Sequence, residues 1–112
     1  MTEQDVTKRI EDEIKSNKVV LFMKGTPEAP QCGFSAATVE LLNGYKYPYK
    51  AIDVLANPDI RASLPEYSKW PTVPQLFING RLVGGSDIAH ELSDSGELKR
   101  MLEKAFEGQG KS

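Results

Sequence analysis

The chain has 112 residues, 27% of them charged and 39% apolar, a formal charge of −2 and one cysteine. That length suffices for a single domain, residues 1–112, with its own core, and a slightly acidic balance without a basic stripe argues against nucleic acid as the main partner. The longest apolar run, Val19–Met23, falls far short of the roughly 20 residues that span a bilayer.

No export-type leader precedes the first amphipathic segment, and a lone thiol forms no internal disulfide. A reducing, cytoplasmic setting is therefore expected, or an organelle matrix had a leader been removed. Val6, Ile10 and Ile14 recur at four-residue spacing among charged neighbours, which predicts an amphipathic helix ending near Ser16. Lys18–Met23 is β-branched and apolar on both faces, as in a strand covered on both sides. Two prolines make Gly25–Gln31 a stiff loop. From Gly33 through Leu42 the sequence reads as a helix, stopped at Asn43-Gly44. Pro48–Val54 is a second strand with Tyr49, Ile52 and Val54 to bury. Asn57-Pro58 starts another helix, with proline at its first position. Pro65 should break that helix near Ser63, where Ser63-Leu64-Pro65-Glu66 matches a capping box for a short second turn to Lys69. Trp70–Pro74 forbids helix. Gln75–Ile78 and Arg81–Val83 pair across Asn79-Gly80, the strongest short hairpin signal. Ser86-Asp87 caps a helix over about Ile88–Leu92. Leu98, Met101, Leu102 and Phe106 line one face of a last helix, and Gly108–Ser112 is expected to fray. This order predicts an α/β chain of thioredoxin-like fold. Its small mixed four-stranded sheet carries helices on both faces, with the first two strands parallel across a right-handed crossover.

Cys32 stands just before the helix that follows the first strand. The unpaired N–H groups of a first helical turn carry partial positive charge and favour thiolate over thiol. Lys24, at the end of the preceding strand, adds a second positive charge nearby. A thiolate is both nucleophile and metal ligand, so either chemistry suits the position. A buried cysteine acting as a small hydrophobe is the commoner fate of a single thiol, but polar, proline-stiffened surroundings oppose it here. In Cys32-Gly33-Phe34-Ser35 a serine replaces the resolving cysteine of a redox dithiol. An attack by Cys32 therefore stops at a mixed disulfide until an outside thiol arrives. As for metal, a two-iron cluster usually takes four thiolates. One chain supplies one and a symmetric pair two, with glutathione the abundant candidate for the rest. His90, a lone histidine, is a poor metal candidate.

Lys24-Gly25-Thr26-Pro27, Pro30, Cys32-Gly33-Phe34-Ser35, Trp70–Gln75 and Gly84-Gly85-Ser86-Asp87, in this order, resemble the monothiol glutaredoxins of the CGFS type. The resemblance runs from the first strand to the last helices. It implies that two protomers and two glutathiones bridge a 2Fe–2S cluster, delivered to iron–sulfur acceptor proteins and often handled with BolA-like partners. Cys32 would be both the redox-active residue and the iron ligand. Glutathione offers two carboxylates and an ammonium. Lys24 matches its glycyl carboxylate, with Arg61 as a forked second donor. Val73 would present a backbone edge beside a cis Val73–Pro74 bond. The helix start at Ser86 suits the γ-glutamyl carboxylate, and Asp87 the ammonium. Gly84-Gly85 is expected to permit the close approach of that ligand.

The loop Gly25–Gln31 resembles a family extension associated with a glutathione pose poor for turnover. Ser35 does not forbid a glutathione-dependent thiol–disulfide oxidoreductase working by a monothiol route, which is the alternative reading despite that loop. A third is an adaptor that uses neither chemistry. Trp70 is given no role, and Phe34 either shields the cluster face or simply packs.

Overall fold

The computed structural model describes residues 2–107, so the expected fraying of 108–112 lies outside the described residues. Helix α1 (Glu3–Ser16) opens on a capping box in which Thr2 Oγ1 accepts from the Asp5 N–H and Asp5 Oδ2 from the Thr2 N–H. Its Val6, Ile10 and Ile14 are buried, as the four-residue spacing requires. Strand β1 (Val19–Met23) is buried at every position. After it come β2 (Gly25–Thr26), β3 (Ala29–Pro30), α2 (Gly33–Tyr45), β4 (Lys50–Asp53) and α3 (Pro58–Ser68). The chain closes with β5 (Gln75–Ile78), β6 (Arg81–Gly84), α4 (Ser86–Ser95) and α5 (Glu97–Ala105).

The main sheet has four strands in the order β4-β1-β5-β6, with β1 parallel to β4 and the other two pairings antiparallel. Strand alternation divides the core. Val19, Leu21 and Met23 face α2, α4 and α5, whereas Val20 and Phe22 face α1 and α3. This is the thioredoxin-like arrangement. Asn79 and Gly80 turn between β5 and β6 with φ of 53° and 83°, the positive pair that a type I′ hairpin needs. Among the described residues no helix is long and apolar enough to cross a membrane.

Five local expectations need correction. The proline-rich stretch is not plain loop: β2 and β3 pair antiparallel, Gly25 opposite Pro30. Helix α2 runs through Asn43-Gly44 to Tyr45, and Lys46 takes the left-handed cap at φ 63°. The reason is Tyr45, whose ring packs on the core and whose hydroxyl lies 2.7 Å from Ser93 Oγ, holding one more turn in place.

Helix α3 is unbroken with Pro65 inside it. An interior proline costs about 3 kcal/mol. Leu64 before it and Tyr67 after it both pack on the α1 side of the sheet, and the Arg9–Asp59 ion pair at 2.8 Å ties the helix start to α1. Finally, Ser86 and Asp87 lie inside α4, whose cap is Gly85. Gly84 has φ +140°, and a Cβ there would sit 2.9 Å from Ile88 Cβ. Close packing of α4 on the end of β6 therefore accounts for that glycine, without any ligand.

Candidate functional site

The thiol is placed by a short excursion that returns to its own start. From the end of β1 the chain enters the β2–β3 hairpin, and the Gln31 N–H then donates back to the Lys24 carbonyl at 2.8 Å. The Gly25 N–H donates to Asp53 Oδ1 at 2.9 Å, tying the hairpin to the end of β4. Cys32 emerges as the N-cap of α2, half-buried, with extended backbone.

Ionisation of this sulfur is eased. The Ser35 N–H lowers the thiol pKa most; burial, next in size, opposes it, and the Phe34 N–H, the Ser35 hydroxyl and the Lys24 charge add to the lowering, so that the net shift is downward. The neutral thiol forms no side-chain cap bond, so it is the charged sulfur that these donors recognise. Ser35 is wholly buried and its oxygen also accepts from the Lys24 N–H at 3.1 Å. That leaves its hydroxyl proton free to point at the sulfur. Alkylation of Cys32 by iodoacetamide should accordingly show its pH midpoint below that of a free cysteine measured alongside, and Ser35→Ala should move the midpoint up. A midpoint at or above free cysteine would refute the arrangement.

Beside the thiol lies a groove of about 560 Å³. Lys24, Cys32, Arg61, Val73, Ser86 and Asp87 all line it. Lys24 enters from the end of β1 and Arg61 from the first turns of α3, so two cations from separate elements meet one cavity. The start of α4 supplies a third feature. Gly85 makes no side-chain cap bond, and Ser86 holds its own polar groups toward His90, whose Nδ1 lies 2.8 Å from the Ser86 carbonyl. The first N–H groups of α4 are thus left for an anion. The Val73–Pro74 bond is cis, and Val73 precedes the first paired residue of β5, Gln75.

The remaining lining came less readily from the sequence. Trp70, Thr72, Pro65 and Ile88 also border the groove, and Phe34 stands 63% exposed at its mouth. Ser35 read only as a missing cysteine, yet its place three residues after the N-cap is where a side chain faces the cap. Among the described residues no group of three or more His, Cys, Asp or Glu side chains is placed to hold a metal ion.

Residues 19–83 match the family model described as Glutaredoxin. A probable monothiol glutaredoxin 2 of Rickettsia felis is 56% identical over 102 residues, covering 91% of this chain and 98% of that protein. Reduced poplar apo GrxS14, solved in solution, superposes with a TM-score of 0.83 at 44% identity over 95% of this chain and 98% of the other. A buckwheat glutaredoxin solved in complex with glutathione gives a TM-score of 0.82 at 25% identity, with 92% of each chain covered.

Proposed function

This chain belongs to the glutaredoxin family, among its monothiol members, and from that premise we propose that it binds glutathione in the groove beside Cys32 and carries a 2Fe–2S cluster as cargo. Two protomers and two glutathiones would hold the cluster between them, for delivery to iron–sulfur acceptor proteins, with BolA-like proteins as further partners. One observation carries the reading. The single, ionisable thiol opens onto a cavity that also receives two cations and an uncapped helix start. The donor set fits a shared cluster: a half-buried thiol at the helix N-cap whose ionisation is eased, and, among the described residues, no group of three or more His, Cys, Asp or Glu side chains that would hold a metal ion within one chain.

Within this reading Cys32 provides one iron ligand per protomer, and glutathione, lying along Val73 with its carboxylates toward Lys24, Arg61 and the α4 start, provides the other. Asp87 faces the ligand's ammonium. The buckwheat complex supports a glutathione site in this fold. Anaerobic reconstitution with iron, sulfide and glutathione should give a coloured dimer with visible absorption; a colourless monomer would count decisively against the proposal. Lys24→Ala and Arg61→Ala should each weaken glutathione about two- to fivefold, since both are partly solvated charges, and more at low salt than at high. Titration at two ionic strengths reads this, and salt-independent affinity would remove both residues from the site.

The lowered thiol pKa also favours the enzymatic alternative. In that reaction the Cys32 thiolate attacks the glutathione sulfur of a glutathionylated substrate, the substrate leaves as a thiolate, and a second glutathione displaces Cys32 to give glutathione disulfide. Brisk turnover in a coupled assay would favour this route, and negligible turnover the carrier.

A further inference from the structure

We infer that Gln75 is a positioning residue of the groove, acting through the backbone of Trp70–Pro74; the inference rests on that groove being the glutathione site. Gln75 is wholly buried and stands first in a strand whose other three residues, Leu76, Phe77 and Ile78, are apolar. A carboxamide in such a place needs a reason, because burying a polar group is costly unless its hydrogen bonds are made.

Only half of this one is satisfied. Nε2 donates to the Trp70 carbonyl at 3.0 Å and to the Thr72 carbonyl at 3.1 Å, whereas Oε1 has no partner among the described residues. The amide orientation is set by its neighbours, since the reverse would aim its oxygen at two carbonyls. The side chain is therefore kept for its two donors at the expense of its acceptor. Both donors go to one segment.

That segment forms the groove wall yet has little else to shape it. It belongs to no helix or strand, and its prolines at 71 and 74 have no N–H to give. The Trp70 N–H donates to Ser68 Oγ at 3.2 Å and the Ser68 hydroxyl reaches the Trp70 carbonyl at a longer 3.5 Å, while the buried Trp70 indole N–H has no partner among the described residues. Gln75 thus fixes the two carbonyls that flank Pro71 and so sets the course of the backbone at Thr72 and Val73. Gln75 does not itself line the cavity. Its effect reaches a ligand only through the wall.

Gln75→Met keeps length and volume while removing both donors. Titration of reduced glutathione into the isotope-labelled protein, followed by NMR, should show affinity about tenfold weaker than the parent's. Amide shifts should move at Thr72 and Val73, and the thermal midpoint should change little. In the parent the Gln75 side-chain NH2 should exchange slowly with solvent and shift as glutathione is added, a measurement that needs no variant. Equal affinity in parent and variant overturns the inference, as does a parent NH2 signal indifferent to glutathione. If affinity falls only in proportion to the fraction unfolded, Gln75 is merely structural and the inference fails. A parent that binds no glutathione at all overturns the functional reading itself, and this inference with it.

Discussion

Cys32→Ser should give a colourless protein that forms no adduct with glutathione, yet folds at least as stably as the parent. Loss of function is complete because the chain has no second cysteine to take over: neither the mixed disulfide nor an iron–thiolate bond can form elsewhere. The gain in stability has a separate origin. The neutral thiol makes no cap bond at the start of α2, whereas serine is among the best N-caps, worth about 0.5–1 kcal/mol. The pH dependence follows from the lowered thiol pKa. The folded chain loses its thiol proton before the unfolded chain does, so the parent's stability rises with pH between the folded and the unfolded value and is constant above it. On acidification that contribution is lost as pH falls through the folded value. The serine variant's advantage should therefore be largest in acid and shrink as pH is raised through this window. Visible absorption after reconstitution, adduct mass and thermal unfolding at two pH values test all three parts. Retained colour in Cys32→Ser would end the argument.

The sequence disclosed the frame of this site well because its strongest signals are local. The β-branched run ending at Met23, the Asn79-Gly80 turn and the spacing of Val6, Ile10 and Ile14 each report a preference that tertiary packing had no cause to override. The groove's charged contributors were legible for a similar reason: Lys24, Arg61 and Asp87 are recognisable by charge and by position at element ends. Misreadings arose where a distant partner decides. Nothing in Asn43-Gly44 tells that Tyr45 will find Ser93, or in Ser63–Glu66 that Leu64 and Tyr67 will hold an interior proline in helix. Gly84-Gly85 looked like room for a ligand, yet the Cβ that Gly84 lacks would meet Ile88. Ser35 and Gln75 were opaque because their work is done through hydrogen bonds to backbone groups of other segments, which leave no periodic trace.

Gly25→Ala should destabilise the fold by about 2–4 kcal/mol, a large share of the roughly 5–15 kcal/mol that holds a domain together. Gly25 has φ +89°, and an added Cβ would stand 2.5 Å from the Ala29 carbonyl oxygen and 2.7 Å from the Gln31 nitrogen. Both are backbone atoms and neither can swing aside. Gly25 pairs with Pro30, its N–H is held by Asp53, and Gln31 is held by the Lys24 carbonyl. Relief therefore requires the hairpin to open, and the residues at its feet are Lys24 and Gln31, with Cys32 next in the chain. Gly44→Ala is the matched control. Nothing lies within 4 Å of its added Cβ, and alanine in the last turns of a helix should stabilise by about 0.5–1 kcal/mol. Denaturant unfolding of both variants, with glutathione titration of each, separates the causes. If strain at the hairpin is the cause, Gly25→Ala must lose affinity beyond the two- to fivefold expected of Lys24→Ala, because it displaces the thiol together with the charge. A Gly25→Ala protein as stable as its parent would mean that the hairpin yields freely, and the thiol would then owe its position to α2 alone.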